Sequence, residues 1–380
     1  MHIIYFLSFL LLFPSLSHSY INETYISSHN ECSINLSMLD ILDTRFVIDL
    51  SKSYSNIPFS YLSRPSKIKC QHFPIKLYIT PFTSISNPSL LTTKLSLFKS
   101  KQTLNEFYFL TTDLLHSSKF IGFGYKISHR NLSFIHSLYD NNLISELSFT
   151  FGNEAYETNK YPLYFGKLPS NITHNYNNIT IKVNESHNEW GINLNWIGFE
   201  NTPSSYGFNI VNEYAYINTI NDRIFVPMPF MDHLKRTVFT KYIKDNKCKV
   251  QSHNKTKYIN CKCYNGIEDM KGFPNMKIKI DNSILTLHVE HLFKYVESEH
   301  VCLFIMQFNY KEPNVWFFGY LFIQEYITQF HVDRKEITFY SKRLVDDKYM
   351  YVYWNKIICV LVSILLSISI GIMLYSKRMN

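Results

Sequence analysis

The chain has 380 residues, 46% hydrophobic, 16% aromatic and only 18% charged, with a formal net charge of +8. That charge fraction lies below the globular average of roughly 25% and excludes a disordered polyelectrolyte. The basic excess is scattered, without runs of like charge, which argues against a nucleic-acid-binding tail, and the length suits one large or two ordinary domains.

In chain order, residues 3–14 form an apolar run too short to span a bilayer, and Ser17-His18-Ser19 follows with small residues where a signal peptidase reads. This predicts a secretory signal peptide over residues 1–19. An N-terminal extension, 20–45, comes next. Segments of four to eight residues rich in Ile, Val, Phe and Tyr, bounded by turn residues, then predict strands. In the first half they are Phe46–Asp49, Ile75–Thr80, Leu91–Phe98, Glu106–Leu110, Leu147–Phe151 and Leu163–Gly166. The second half adds Ile179–Val183, Trp190–Ile197, Ala215–Asn218, Arg223–Val226, Met276–Ile280, Val301–Gln307 and Ile327–Val332. Helical candidates are short, Ser133–Asn141 and Met231–Lys241. The pattern is that of a large, mainly β, mainly antiparallel protein.

Near the other end, Ile357 to Leu374 carries no charge and as a helix would reach about 27 Å, close to the hydrocarbon thickness of a bilayer. Tyr351, Tyr353 and Trp354 precede it, and Lys377 and Arg378 follow it, the flanks of a single-pass anchor with its tail inside. The sequence thus predicts a type I membrane protein, with 346–356 juxtamembrane, 357–374 transmembrane and 375–380 cytoplasmic. The bulk of the chain would stand outside the cytosol, in a secretory compartment or at the cell surface. Sequons at Asn22, Asn35, Asn131, Asn171, Asn178, Asn184 and Asn254 suit a glycoprotein, although a chain so rich in Asn yields nearly as many by chance.

Cys359 falls inside the predicted anchor. Cys32, Cys70, Cys248, Cys261, Cys263 and Cys302 remain, an even number that suits disulfide bonding in an oxidising compartment. No Gly-rich phosphate loop, His-Glu-x-x-His or Gly-x-Ser-x-Gly is present, and no metal or cofactor is implied. His288-Val-Glu-His291 places two imidazoles on one helix face, a pattern that reads first as an exposed or hydrogen-bonded pair.

A weak internal repeat is more informative. Phe46-Val-Ile-Asp49 and the later Phe120-Ile-Gly122 are echoed by Tyr216-Ile-Asn218 and the later Trp316-Phe-Phe-Gly319. Each half pairs a strand ending in Asp or Asn with a distant apolar-apolar-Gly strand. The sequence here resembles the pepsin family of aspartic proteases. The resemblance is carried by Lys119-Phe-Ile-Gly-Phe-Gly-Tyr125, by Asn131–Phe151, by Tyr164-Phe-Gly166, by Trp190–Ile197, by Val315–Phe330 and by Val332–Phe339. It implies a bilobed β fold with an N-terminal lobe over 46–168 and a C-terminal lobe over 169–345, Gly122 and Gly319 being structural.

The family mechanism uses two carboxylates that share a proton because, held close together, they cannot both ionise. By the resemblance, Asp49 takes the first position, but Leu50 and Ser51 stand where Thr or Ser and Gly are expected. Asn218 replaces the second carboxylate, Thr219 is retained and Ile220 replaces Gly. Ile79–Ser84 resembles the substrate-covering flap, with Pro81, followed by Phe82, in place of its tyrosine. Asp222 could replace the missing carboxylate only through a bulged or shifted strand. An amide cannot shuttle the shared proton, and general acid–base terms are worth typically 10²–10⁴ in rate.

These departures predict a catalytically inactive homologue, its cleft kept for a peptide or protein ligand. An active aspartic endopeptidase with an atypical dyad is the alternative, and a β-rich surface adhesin a lesser one. The resemblance also implies a bridge from Cys302 to Cys261 or Cys263, with Cys248 taking the other, and Cys32 with Cys70.

Overall fold

The computed structural model describes residues 20–28, 31–38, 45–50, 69–71, 89–97, 103–111, 120–125, 133–153, 160–174, 176–186, 189–203, 206–219, 223–253, 256–309 and 315–342. The predicted signal peptide, the strand Ile75–Thr80, the flap with Pro81 and Phe82, the positions Ser51, Ile220 and Asp222, and the anchor 357–374 lie outside them. Among the described residues no helix is long and apolar enough to cross a membrane.

The first half supplies β1 (Tyr20–Ser28), β2 (Glu31–Met38), β3 (Arg45–Asp49), β4 (Lys69–Gln71), β5 (Ser89–Leu97), β6 (Thr103–Thr111), β7 (Phe120–Gly122), β8 (Ser148–Phe151) and β9 (Lys160–Gly166). The second supplies β10 (Tyr176–Lys182), β11 (Gly191–Phe199), β12 (Phe208–Ile217), β13 (Ile224–Pro227), β14 (Cys248–His253), β15 (Thr256–Lys262), β16 (Met276–Ile280) and β17 (Ser283–Leu287). It ends with β18 (Phe293–Val296), β19 (Val301–Asn309), β20 (Val315–Phe318), β21 (Ile327–His331) and β22 (Glu336–Lys342). Among the described residues the α-helices are α1 (Phe134–Asp140), α2 (Ser170–Thr173), α3 (Met228–Arg236), α4 (Thr240–Lys244), α5 (Val289–Leu292) and α6 (Tyr320–Glu325).

β1 and β2 fall within 20–45, the stretch placed ahead of the first lobe on sequence grounds. Both are hydrogen-bonded into that lobe's sheet, β1 against β9 and β2 against β3. Their polar residues hide them from an apolar-run criterion.

Two sheets organise the described residues. One has ten strands, all from the second half; the other has twelve and runs β10-β22-β21-β8-β9-β1 along one stretch. That stretch joins the halves, with three strands from each and with β21 antiparallel to β8 at the centre (Phe330 opposite Phe149). The two halves are built alike. In the first, β7 leads through α1 to β8; in the second, β20 leads through α6 to β21.

Local chemistry explains the helices. Ser133 caps α1, its side chain accepting from the His136 amide, while Phe134, Ile135 and Leu138 are buried, so that one face packs and one orphan donor is satisfied. The helix expected over Met231–Lys241 is two helices, α3 and α4. The break falls at Thr237, whose hydroxyl donates to the His233 carbonyl at 2.8 Å, followed by β-branched Val238; both features weaken a continuous helix.

The core between the halves is aromatic. Trp190 is fully buried and its ring lies 5.0 Å from Phe330, 6.0 Å from Phe149 and 5.1 Å from Tyr125. Phe149 stacks on Phe330 at 4.8 Å. Such pairs add to the large areas that aromatic rings bury.

Candidate functional site

Two strand ends define the site. β3 runs parallel to β7 with Asp49 opposite Gly122. β12 runs parallel to β20 with Ile217 opposite Phe318, and the Asn218 amide donates to the Phe318 carbonyl at 2.8 Å. One step beyond that pair stand Asn218 and Gly319. The repeat visible in sequence is therefore a repeat of backbone construction: each half ends a strand in Asp49 or Asn218 beside the glycine of an apolar-apolar-Gly strand. Both pairings are parallel, and parallel neighbours require long connections, which is why the partners are so distant in sequence.

The two ends meet. The Thr219 hydroxyl donates to the Ile48 carbonyl at 2.6 Å, across 171 positions, and Thr219 is completely buried. The residue after Asp49, Leu50, is buried too but has no hydroxyl to return the bond. Thr219 therefore braces the two loops from one side only. A second tie runs through Trp190: its indole N–H donates to the Phe123 carbonyl at 2.9 Å, next to Gly122, and its own carbonyl accepts from the Ile217 amide at 3.0 Å.

This arrangement presents one carboxylic residue, Asp49, and one carboxamide residue, Asn218, at the joined loop ends. A carboxamide carries donors and an acceptor but no proton that titrates, so the pair has no shared-proton state. An amide and a carboxyl can both hold a ligand or a water by hydrogen bonds.

The other candidate residues divide. Cys248 and Cys261 are bridged, as are Cys263 and Cys302. Of the two pairings left open by the resemblance, the structure selects this one. Cys261 stands opposite both Cys248 on β14 and Cys302 on β19, so one-dimensional spacing could not choose. Cys32 and Cys70 lie on β2 and β4, but their side chains are not among those described. His288 and His291 share a carboxylate rather than a metal: their Nδ1 atoms approach the two oxygens of Glu325 at 2.6 and 3.0 Å. The bond from Glu325 holds the His288 imidazole above its ordinary pKa, against an opposing desolvation effect. Among the described residues no cluster of three or more His, Cys, Asp or Glu is arranged to hold a metal.

Three contributors escaped sequence reasoning. The Ile48 carbonyl is a backbone acceptor with no residue signature. Trp190 was legible only as a strand residue. Glu325 lies 37 positions from His288, with no local motif linking them.

A family model described as eukaryotic aspartyl protease matches residues 90–342, a span that includes Asn218 and Thr219 and begins after Asp49. Among solved structures the chain is similar to basic 7S globulin from soybean, with a TM-score of 0.64 and 13% identity over 86% of this chain and 97% of that one. At that identity the likeness shows the fold: mainly β, bilobed and pepsin-like. No curated protein matches.

Proposed function

The chain belongs to the eukaryotic aspartyl protease family, and from that premise we propose that it is a non-catalytic member whose cleft binds a peptide or protein partner. The observation that carries the reading is the contrast between Thr219 and Asn218. Thr219 keeps the brace that joins the loops, so the scaffold is maintained, while its neighbour supplies an amide where the mechanism needs a titrating carboxyl. Leu50 adds a second departure: the return hydroxyl is missing on the other loop.

The same proposal places the protein in the secretory pathway or at the cell surface, with residues 1–19 removed on export, 357–374 as a single-pass anchor and the two lobes outside the cytosol. Two disulfides suit an oxidising compartment. Asn178, the acceptor of one sequon, is exposed on β10, open to glycosylation. Treatment with an N-glycosidase is expected to lower the apparent mass of the protein recovered from membranes; an unchanged mass together with a soluble protein would overturn the placement.

The function is tested by incubating the full chain, purified in detergent, with a peptide library from pH 3 to 7, with and without pepstatin. The expected result is no pepstatin-sensitive cleavage, with recovery of bound peptides from the same library. Cleavage abolished by Asp49→Ala would establish the alternative, an atypical active endopeptidase.

A further inference from the structure

The loop that follows β15 holds the only Asn-Gly pair of the chain, Asn265-Gly266. Asparagine is a thermolabile residue, and glycine is the one successor whose missing Cβ leaves the backbone nitrogen open to approach. Asn265 is exposed. Gly266 stands at a φ of +71°, and a Cβ built there would meet nothing nearer than 3.8 Å. Three bonds from this loop converge on one carboxylate. Asp269 Oδ2 accepts from the Tyr264 amide at 2.6 Å and from the Asn265 amide at 3.1 Å, and Oδ1 accepts from Asn265 Nδ2 at 3.1 Å. These bonds, that of the Asn265 amide foremost, hold the Asp269 carboxyl below its ordinary pKa. The Asp269 carbonyl in turn accepts from Lys247 Nζ, which ties the loop to the start of β14. Held in this way, Asn265 has a ψ of 27°, which turns the Gly266 nitrogen away from the Asn265 carboxamide. The closed loop keeps two reactive neighbours apart, and only its opening brings them together.

We propose that Asn265 is a deamidation site guarded by Asp269, and that its conversion is a one-way switch of this loop. The Gly266 amide nitrogen gives its proton to solvent and attacks Asn265 Cγ. The new C–N bond closes a succinimide while the Cγ–Nδ2 bond breaks, and Nδ2 leaves as ammonia with a proton from solvent. Water then opens the ring at either carbonyl, which yields aspartate or isoaspartate at position 265. Water is the only co-reactant. The product sets a carboxylate where Nδ2 donated to Asp269, and two carboxylates within hydrogen-bond distance repel. The clasp therefore does not close again over its product. The Gly266 carbonyl lies 3.6 Å from Cys302 Sγ, so the loop that is released borders the Cys263–Cys302 bridge. None of these residues belongs to the Asp49/Asn218 loops, and the proposal stands whether or not the cleft binds peptides.

The test ages the full chain in detergent at mildly alkaline pH and follows it by peptide mapping that separates asparagine, aspartate and isoaspartate. Wild-type protein is expected to convert slowly at Asn265, with both products formed. Asp269→Ala is expected to speed the conversion about fivefold, the factor that one net hydrogen bond is worth. Asn246 is the internal control: it too is exposed in a turn with positive φ, but Lys247 follows it. Conversion at Asn246 as fast as at Asn265, no conversion at Asn265 in either protein, or equal rates in wild type and Asp269→Ala overturns the proposal. A second measurement needs no variant. Amide hydrogen exchange at Tyr264 and Asn265 is expected to be faster in aged than in fresh wild-type protein, and unchanged exchange in a converted sample overturns the switch.

Discussion

Thr219 and Leu50 occupy corresponding places, one residue after Asn218 and one after Asp49, and they divide the roles of the site. Thr219 is both fully buried and bonded to the other loop, so removing its hydroxyl leaves the Ile48 carbonyl without that donor. Thr219→Val is expected to lower stability by about 1–3 kcal/mol, measured by urea denaturation, whereas Thr219→Ser is expected to retain most of it. Equal stability of the Val and wild-type proteins would show that the brace is not a structural tie. Sequence made Asp49, Asn218 and Thr219 legible because side-chain identity carries the motif. It could not show the acceptor, because every residue has a carbonyl.

His288 gives a second residue-level expectation. Its bond to Glu325 raises the pKa in the folded state above the ordinary value of 6.5. A group raised on folding binds its proton more tightly in the native state. Its stabilisation is therefore complete below about pH 6.5 and is lost as pH rises through the folded value. Glu325→Gln is expected to flatten that portion of the melting-temperature profile between pH 5 and 8; a profile unchanged by the substitution would remove the assignment.

At the scale of elements, the seam between the halves is where folding and pH meet. Glu146, just before β8, receives His331 Nδ1 at 3.0 Å and Arg334 at 2.7 Å, so a first-half carboxylate is held by two second-half side chains. The hydrogen bond from His331 is the largest influence and keeps the Glu146 carboxyl below its ordinary value, against desolvation. The sign is opposite to that of His288: the contribution is present above about pH 4.5 and is lost as pH falls through the lowered value. Glu146→Gln is expected to reduce the loss of stability on acidification from pH 6 to 3, read by thermal melting.

The disulfides act on the same scale. Cys263–Cys302 closes 39 positions and Cys248–Cys261 closes 13. Loop-closure entropy makes the longer bridge worth about 1 kcal/mol more. Replacing both members of each pair by Ala, in separate variants, is expected to rank them in that order by urea midpoint.

For the whole molecule, strand positions were largely legible because hydrophobic alternation reports a buried face directly. Phe46–Asp49, Leu147–Phe151 and Met276–Ile280 were placed at or within a residue of β3, β8 and β16. β1 and β2 were not, since Asn22, Glu23 and Thr24 interrupt the apolar pattern, and what makes them strands is pairing with β9 and β3. Nor was the split between α3 and α4, where the Thr237 hydroxyl bond to the His233 carbonyl and β-branched Val238 together weaken a continuous helix.

By itself the sequence determined which side chains stand at the two loop ends: an amide at Asn218 and an apolar side chain at Leu50 follow from residue identity and need no coordinates. Only the tertiary structure decided that these positions belong to one site. The parallel pairings of β3 with β7 and β12 with β20, the Thr219–Ile48 bond and the choice among Cys248, Cys261, Cys263 and Cys302 all join residues far apart in the chain. Such contacts depend on long-range backbone hydrogen bonds and packing, which no local pattern of side chains encodes.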